Sequence, residues 1–136
     1  MQVVTPPDLV LPGDAKQCFL LGINEDTANE FLEVFDNVFQ GVDSVIYYDN
    51  NGSNLSWTYH IIKECDIIFI NFETMSQIEF LQLFYSIQES DKDLIYYGDQ
   101  NTDIGQLLLS MGISIISTLN ELENVMTLMY KDNEKE

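Results

Sequence analysis

Carboxylate side chains follow the predicted ends of the β-strands, where they could hold a metal ion. They are Glu25, Asp26, Asp49, Glu73 and Asp99. Mg²⁺ prefers oxygen ligands of this kind. In a chain with 23 Asp and Glu residues, however, loops carry carboxylates by composition alone, and the helix dipole favours them at the starts of helices. We therefore expect no metal site.

The common cofactor and catalytic motifs are absent from the sequence. Gly22 stands alone, with neither a G-x-G-x-x-G nor a G-K-[ST] motif nearby, so the phosphate cradles of dinucleotide and ATP sites are missing. His60 is the only histidine, which excludes a structural zinc cluster and a histidine-based triad within one chain. We expect His60 to be an ordinary polar residue on a helix, and we expect no cofactor.

Five short apolar runs predict β-strands, at residues 18–22, 44–48, 66–71, 93–97 and 113–117. Most of these runs are continuously apolar, which is typical of parallel strands covered by helices on both faces. Helical segments alternate with them, and this order implies right-handed crossovers in a three-layer α/β fold. We predict a five-stranded, mostly parallel sheet of flavodoxin-like or Rossmann-like type.

The helical segments have clear apolar periodicity. Ala28, Phe31 and Phe35 fall on one side of the first helix, and an acidic stripe falls on the other. Asn24 is placed to cap this helix. Further helices are predicted at residues 57–63, 75–88, 104–111 and 119–130. We interpret residues 1–17 as an extended lead-in over the surface, 18–130 as one domain and 131–136 as a charged tail.

Ligands of open parallel sheets bind beyond the carboxyl ends of the strands. The sequence places seven small or polar residues there as candidate ligand-binding residues. They are Gly22, Asn24, Asp49, Asn71, Thr74, Ser76 and Asp99.

Charge and composition exclude several classes of function. With 5 Lys and Arg against 23 Asp and Glu, the formal charge is −18. A protein that neutralises phosphates needs clustered cations, so direct binding to nucleic acid or to an anionic membrane is excluded. The chain is 46% hydrophobic, which separates it from disordered acidic proteins and predicts a true core.

The ends and the cysteines indicate a cytoplasmic protein. Residues 1–13 have neither the basic region nor the apolar run of a leader, and no stretch approaches the roughly 18 apolar residues of a membrane span. Cys18 and Cys65 each open an apolar run, where a thiol usually acts as a small buried hydrophobe. This usage favours a reducing compartment.

Residues 65–84 carry a more specific pattern. An apolar strand that begins with Asp66 is followed by the sequence T-M-S-Q-I-E-F-L-Q-L-F at residues 74–84. It resembles the nucleoside 2-deoxyribosyltransferase-like family, in which such a strand runs into T-x-S-P-I-x-L-L-E-L-G at the start of a helix. The matching positions are Asp66, Thr74, Ser76, Ile78, Leu81 and Leu83. A weaker likeness covers the proline-bearing lead-in, the first strand that ends at Gly22, and Trp57.

The resemblance implies chemistry on deoxynucleosides, with a nucleoside as the candidate small ligand. In that family the helix glutamate attacks the anomeric carbon, the base leaves, and a second base or water resolves the covalent intermediate, as in a retaining glycosidase. This chain has Gln82 at the glutamate position, Gln77 at the proline and Phe84 at the glycine. An amide is a poor nucleophile, and loss of a nucleophile typically costs several orders of magnitude in rate.

Two carboxylates near Gln82 are candidate substitutes for the missing nucleophile. Glu79 lies one turn earlier on the same helix, a shift of roughly 4–5 Å along the axis from a rise of ~1.5 Å per residue. An error of ~1 Å can already cost two orders of magnitude in rate, so we favour a solvated polar stripe for Glu79. Glu73 is the other candidate.

Two classes of function follow from these residues. In the first, a catalytically degenerate transferase-like domain binds a protein, as a structural subunit, a homo-oligomer or an inhibitor. The candidate binding surface includes the acidic face of the first helix. It also includes the pairs Tyr47–Tyr48 and Tyr96–Tyr97, which the sequence assigns either to the core or to an interface. In the second, the protein is an active N-deoxyribosyltransferase or nucleoside hydrolase that uses Glu79 or Glu73.

Overall fold

The computed structural model describes residues 1–10, 13–50, 54–71, 77–89 and 93–131. For Leu55, Gln77, residues 79–83 and Lys131 the description covers the backbone alone. The candidates Glu73, Thr74 and Ser76, and the predicted tail after Lys131, lie outside the described residues.

Within the described residues, six parallel strands form a single sheet. They are β1 (Gln2–Val4), β2 (Lys16–Leu21), β3 (Ser44–Asp49), β4 (Ile67–Ile70), β5 (Asp93–Tyr97) and β6 (Ser114–Ile116). Their order across the sheet is β1-β3-β2-β4-β5-β6, and every pair of neighbours is parallel. The α/β class and the parallel sheet are therefore confirmed.

In the part of the chain that the structure describes, five helices connect or follow these strands. They are α1 (Glu25–Val38), α2 (Leu55–Glu64), α3 (Gln77–Glu89), α4 (Asp103–Ser110) and α5 (Leu119–Met126), and a π-helical turn (Thr127–Lys131) extends α5. Asn24, Asn54, Thr102 and Thr118 cap α1, α2, α4 and α5, and each side chain accepts a hydrogen bond from a backbone N–H of the first turn. None of the described helices is long and apolar enough to span a membrane.

Helices cover both faces of the sheet, so the core is split into two layers. On one face, strand residues such as Phe19, Ile68 and Tyr96 pack with α2, α3 and α4. On the other face, Leu20 and Phe69 pack with α1, α5 and the π-helical turn. Strands covered on both sides must be continuously apolar, which explains the five runs read from the sequence.

The structure corrects the predicted lead-in and the strand count. Residues 2–4 form β1, which pairs in parallel with β3, and β2 already begins at Lys16. As far as the chain is described, the sheet therefore has six strands, where the sequence predicted five and placed residues 1–17 outside it. Val4 is buried, and the indole N–H of Trp57 donates to the Asp8 carbonyl at 2.8 Å. This contact holds the segment after β1 against α2.

The strand order creates one topological switch point. From β2 the chain passes through α1 to β3 on one side, whereas from β4 it passes through α3 to β5 on the other side. Neighbouring connections thus leave in opposite directions at the carboxyl ends of β2 and β4. In folds of this type that crevice is the ordinary position of a ligand site.

Candidate functional site

Three of the predicted site residues meet at the switch point. Gly22, directly after β2, has a φ of 72°, a conformation that strongly favours glycine. Its N–H donates to the Asp49 carbonyl at 2.9 Å, and the N–H of Asn71 donates to the Leu21 carbonyl at 3.1 Å. The structure therefore brings Gly22, Asp49 and Asn71 together on three neighbouring strands, as the sequence predicted.

Asp49 is buried and faces the first turn of α2. Its Oδ2 lies 3.2 Å from the hydroxyl of Thr58, which is itself completely buried. The same hydroxyl lies 2.9 Å from the carbonyl of Asn54, the cap of α2, so its single proton serves one of the two acceptors at a time. Asp49 thus ties the end of β3 to the start of α2.

Asn71 links the switch point to the next strand. Its side-chain amide donates to the Tyr97 carbonyl at the end of β5, while its backbone N–H donates toward β2. The residue is 6% exposed. A buried amide that donates across the sheet in this way fixes the carboxyl edge, so Asn71 has a clear positioning role there.

Asn24 and Asp99 also form local hydrogen bonds. Asn24 Oδ1 accepts from the N–H of Thr27 at 2.9 Å, which confirms the predicted cap. Asp99 is exposed, and its Oδ1 accepts from the N–H of Asn101 at 2.8 Å in the turn before α4. Asp99 thus shapes a surface turn one strand beyond the three residues at the switch point.

Sequence reasoning missed Thr58 at this edge, and it named Tyr48 only as a core or interface residue. The Tyr48 hydroxyl donates to the Ile23 carbonyl at 2.7 Å, and Thr58 contacts Asp49 as described. Burial, and then the nearby charges of Glu25 and Asp49, raise the pKa of the Tyr48 phenol. Thr58 lies four residues after the cap Asn54, so the two residues are one helical turn apart. This spacing was the signal in the sequence that could have placed Thr58 beside the cap.

The position that resembles the family nucleophile lies on a defined stripe of α3. Helical spacing puts position 82 in register with Ile78 and Tyr85, whose side chains are 71% and 68% exposed. Phe84 and Ile87 lie on the opposite side and are buried in the core. Position 82 therefore belongs to the outward stripe of the helix, and Glu79 lies about one turn before it.

Comparisons with known proteins identify no relative of this chain. The chain has no significant match among protein-family models, curated proteins or solved structures.

A metal centre is not formed by the described residues. Within the described ranges, no group of three or more His, Cys, Asp or Glu side chains is arranged to hold a metal ion. His60 lies on α2 and is exposed. Both cysteines are completely buried, as their apolar surroundings in the sequence predicted.

A cavity lies at the amino ends of the strands, on the opposite edge from the switch point. Its volume is about 260 Å³, and it is bounded by the C-terminal turn of α3, the start of β5 and the turn between α4 and β6. The lining residues are Phe84, Ile87, Gln88, Asp93, Leu94, Gly112, Ile113 and Ser114. Small-molecule sites usually span about 300–1,000 Å³, so this cavity suits a side chain or a small fragment.

Proposed function

We propose that this protein is a deoxyribosyltransferase-like α/β domain without transferase activity, and that it acts as a protein-binding subunit. The observation that carries the proposal is the stripe of Ile78, position 82 and Tyr85 on α3. The residue at position 82 is an amide where the chemistry needs a carboxylate, and its helical register is shared with two strongly exposed apolar side chains.

The hydrogen bonds at the switch point support the non-catalytic part. Asp49 accepts from Thr58, Asn71 donates to Tyr97 and Asn24 caps α1. Each of these polar groups positions a helix or a strand. A transferase of this kind needs a carboxylate that attacks carbon and a group that assists the leaving base. The three side chains named here instead hold helices and strands in position.

The distribution of exposed apolar side chains supports protein binding. Among the described residues, helices α3 and α4 and the residue that directly follows α4 lie in one layer and carry five large hydrophobic side chains that are at least 42% exposed. They are Ile78, Tyr85, Leu107, Leu109 and Met111. Apolar exposure concentrated on neighbouring elements is typical of interaction surfaces.

The other surface candidates from the sequence are weaker. Tyr47 and Tyr96 are buried in the layer under α2 to α4, and Tyr48 and Tyr97 pack against the opposite layer, half-buried. The tyrosine pairs are therefore core residues, because successive residues of a strand point to opposite faces of the sheet.

Nucleobase exchange tests the catalytic part of the proposal. The protein is incubated with each 2′-deoxynucleoside and an acceptor base, and released or exchanged base is separated by chromatography. We expect neither release nor exchange, because an amide cannot form the deoxyribosyl ester. Turnover that survives Gln82→Ala and disappears in Glu79→Ala would overturn the proposal in favour of an enzyme that uses Glu79.

A gain-of-function variant tests the resemblance itself. If the site has kept the family geometry, Gln82→Glu restores a carboxylate and gives slow hydrolysis. The matched control is Gln88→Glu, which adds the same charge to the same helix at an exposed position two turns from Gln82. Hydrolysis by Gln82→Glu alone supports a lost transferase, whereas no hydrolysis by either variant contradicts descent from the transferase family.

A further inference from the structure

The cavity at the amino ends of the strands has an apolar floor. Its floor is formed by Phe84 and Ile87 of α3, which are buried, together with Leu94 of β5 and Ile113 before β6. All four side chains belong to the same apolar layer of the core. The volume of about 260 Å³ is several times the ~30 Å³ that a water molecule occupies in the liquid. The floor therefore favours a ligand the size of a long side chain, with an apolar buried part.

The rim of the cavity is polar and carries a carboxylate. It is formed by Gln88, Asp93 and Ser114, which line the cavity and are exposed. Their side chains offer amide, carboxylate and hydroxyl oxygens, all of which accept hydrogen bonds. None of the described lining residues is basic. The rim therefore favours a ligand that donates hydrogen bonds and carries positive charge.

Gly112 leaves open space at the wall of the cavity. It lies in the turn between α4 and β6 and has a φ of 82°, a conformation that strongly favours glycine. A Cβ atom built at Gly112 would meet no atom within 4 Å. The turn thus has both the conformation and the free space that let a ligand approach its backbone.

Exposed apolar side chains border the cavity on both sides. Tyr85 follows Phe84 on α3, and Met111 directly precedes Gly112; these two side chains are 68% and 46% exposed. Leu107 lies one helical turn before Met111 and is 55% exposed. A ligand confined to the cavity would leave these side chains in water, whereas a protein segment that enters it can cover them as well. The surroundings of the cavity therefore favour a protein partner.

The charge around the cavity indicates that this partner is basic. Between Gln77 and Tyr130 the sequence has eight acidic residues and one basic residue, Lys92. Glu89 follows the rim residue Gln88 at the end of α3 and is exposed. The whole chain has a formal charge of −18, and a field of that sign attracts cationic partners.

We propose that this cavity binds an arginine side chain of a basic protein partner, an assignment that rests on the proposed protein-binding function. The methylene stem of the arginine lies on the apolar floor, and its guanidinium donates to Asp93 and Ser114 at the rim. Arginine combines an apolar stem with a planar group of five N–H donors that is less strongly hydrated than an ammonium. Apolar residues beside the arginine in the partner contact Tyr85 and Met111.

Peptide titration tests the site. A tripeptide of sequence Leu-Arg-Leu with blocked ends is titrated into the isotope-labelled protein, and the backbone amide resonances are followed by NMR. We expect saturable shifts at residues 112–114 and weaker binding at high salt, where charges are screened. In two matched peptides the arginine is replaced by citrulline, which keeps its shape without the charge, or by norleucine, which is apolar only. Each should bind about threefold to fivefold more weakly, the size of an exposed ion pair. Equal binding by either peptide, or no shift at residues 112–114, would overturn the proposal.

Point variants locate the guanidinium. Asp93→Asn should raise the Kd of the arginine peptide by about threefold to fivefold and leave that of the citrulline peptide unchanged. Asp103→Asn is the matched control, because Asp103 is an exposed carboxylate at the start of α4, near the opposite edge of the sheet. Its effect should be less than about twofold at a Debye length of about 8 Å. The spectra also report whether each variant is folded. Equal effects of the two variants would refute the assignment to the cavity.

Two further measurements separate the site from other ligands and from the proposed function. Free L-arginine should bind more weakly than the peptide, because its α-carboxylate meets an acidic surface and it lacks the leucines that contact Tyr85 and Met111. Equal affinity would assign the cavity to a free amino acid and overturn the choice of partner. Nucleobase turnover by the native protein would refute the proposed function whatever the cavity binds, whereas an inert protein that does not bind the peptide would refute only this site.

Discussion

Cys18 and Tyr130 are separated by 112 residues in the sequence, yet the thiol sulfur of Cys18 lies 3.6 Å from the phenol oxygen of Tyr130 inside the core. Cys18 is on β2 in the middle of the sheet, and Tyr130 is on the π-helical turn near the end of the described chain. The Tyr130 ring also packs edge-on against Phe39, with ring centroids 4.9 Å apart. The pair therefore fastens the last helical turn to the central strand.

Removal of the Tyr130 hydroxyl should weaken this attachment modestly. Tyr130→Phe keeps the ring against Phe39 and loses one buried hydrogen bond, so we expect a loss of about 1 kcal/mol in the free energy of unfolding. Tyr130→Ala also loses the ring, and we expect about 3–5 kcal/mol, as for other large aromatic truncations. Urea unfolding measures both. If the two variants unfold at the same urea concentration, ring packing contributes nothing.

The buried thiol predicts that stability falls in alkaline solution. Burial, against the lowering effect of the Tyr130 hydrogen bond, raises the pKa of Cys18 from 9.0 to about 12. Between these two values the unfolded chain loses a proton that the folded chain retains, so the free energy of unfolding decreases as pH rises. Urea unfolding of native protein and of Cys18→Ala across this range measures the effect. The variant should show a smaller decrease, and an equal or larger one would contradict the assignment.

Asn71 should be important for stability because its side chain links the end of β4, at the switch point, to the end of β5. We expect Asn71→Ala, which removes the donor to the Tyr97 carbonyl, to lower the free energy of unfolding by about 1–3 kcal/mol. Asn71→Asp should cost more at neutral pH, since a buried carboxylate would face that carbonyl. It should recover in acid, where the protonated carboxyl can donate.

The exposed residue Asn29 on α1 provides the matched control for this change. Asn29→Asp makes the same chemical substitution at the surface and should change stability by less than about 0.5 kcal/mol. Urea unfolding at two pH values measures all three variants. If Asn71→Ala is as stable as the native protein, the amide has no positioning role.

The regular elements were predictable because each strand is covered on both faces. Continuous apolar runs located β2 to β6 to within two residues at each end, and Asp93–Tyr97 matches its predicted range. The pattern failed at β1, since a strand of three residues, with two prolines beginning two residues after it, is too short for any periodicity. Pairing with β3, and the hydrogen bond from Trp57 to Asp8, form only in the folded chain.

The candidate site was predictable in position but not in role. Its location followed from the rule for carboxyl ends of parallel strands, and Gly22, Asp49 and Asn71 do meet there. Whether an asparagine at a strand end binds a ligand or a neighbouring carbonyl depends on a partner such as Tyr97, 26 residues away. The π-helical turn was missed for a similar reason, because apolar spacing in residues 119–130 fits one continuous α-helix.

Replacement of Gly105 by alanine should have the opposite effect on stability from the usual replacement of a glycine in a helix. In an ordinary helix interior Gly→Ala stabilises by about 1 kcal/mol. A Cβ atom at Gly105 would lie 2.6 Å from the Asp99 carbonyl oxygen and 2.7 Å from that of Gln100, both backbone atoms of the turn before α4. We therefore expect Gly105→Ala to destabilise by about 1–3 kcal/mol, as overpacking does.

The control for Gly105→Ala separates this steric effect from helix propensity. Asn124 is exposed on α5, and Asn124→Ala should be neutral or slightly stabilising because alanine has the higher helix propensity. Thermal unfolding followed by circular dichroism compares the two variants with the native protein. A higher melting temperature for Gly105→Ala would mean that the turn at Asp99 can move away from α4, and that Asp99 does not hold a fixed position at the carboxyl edge.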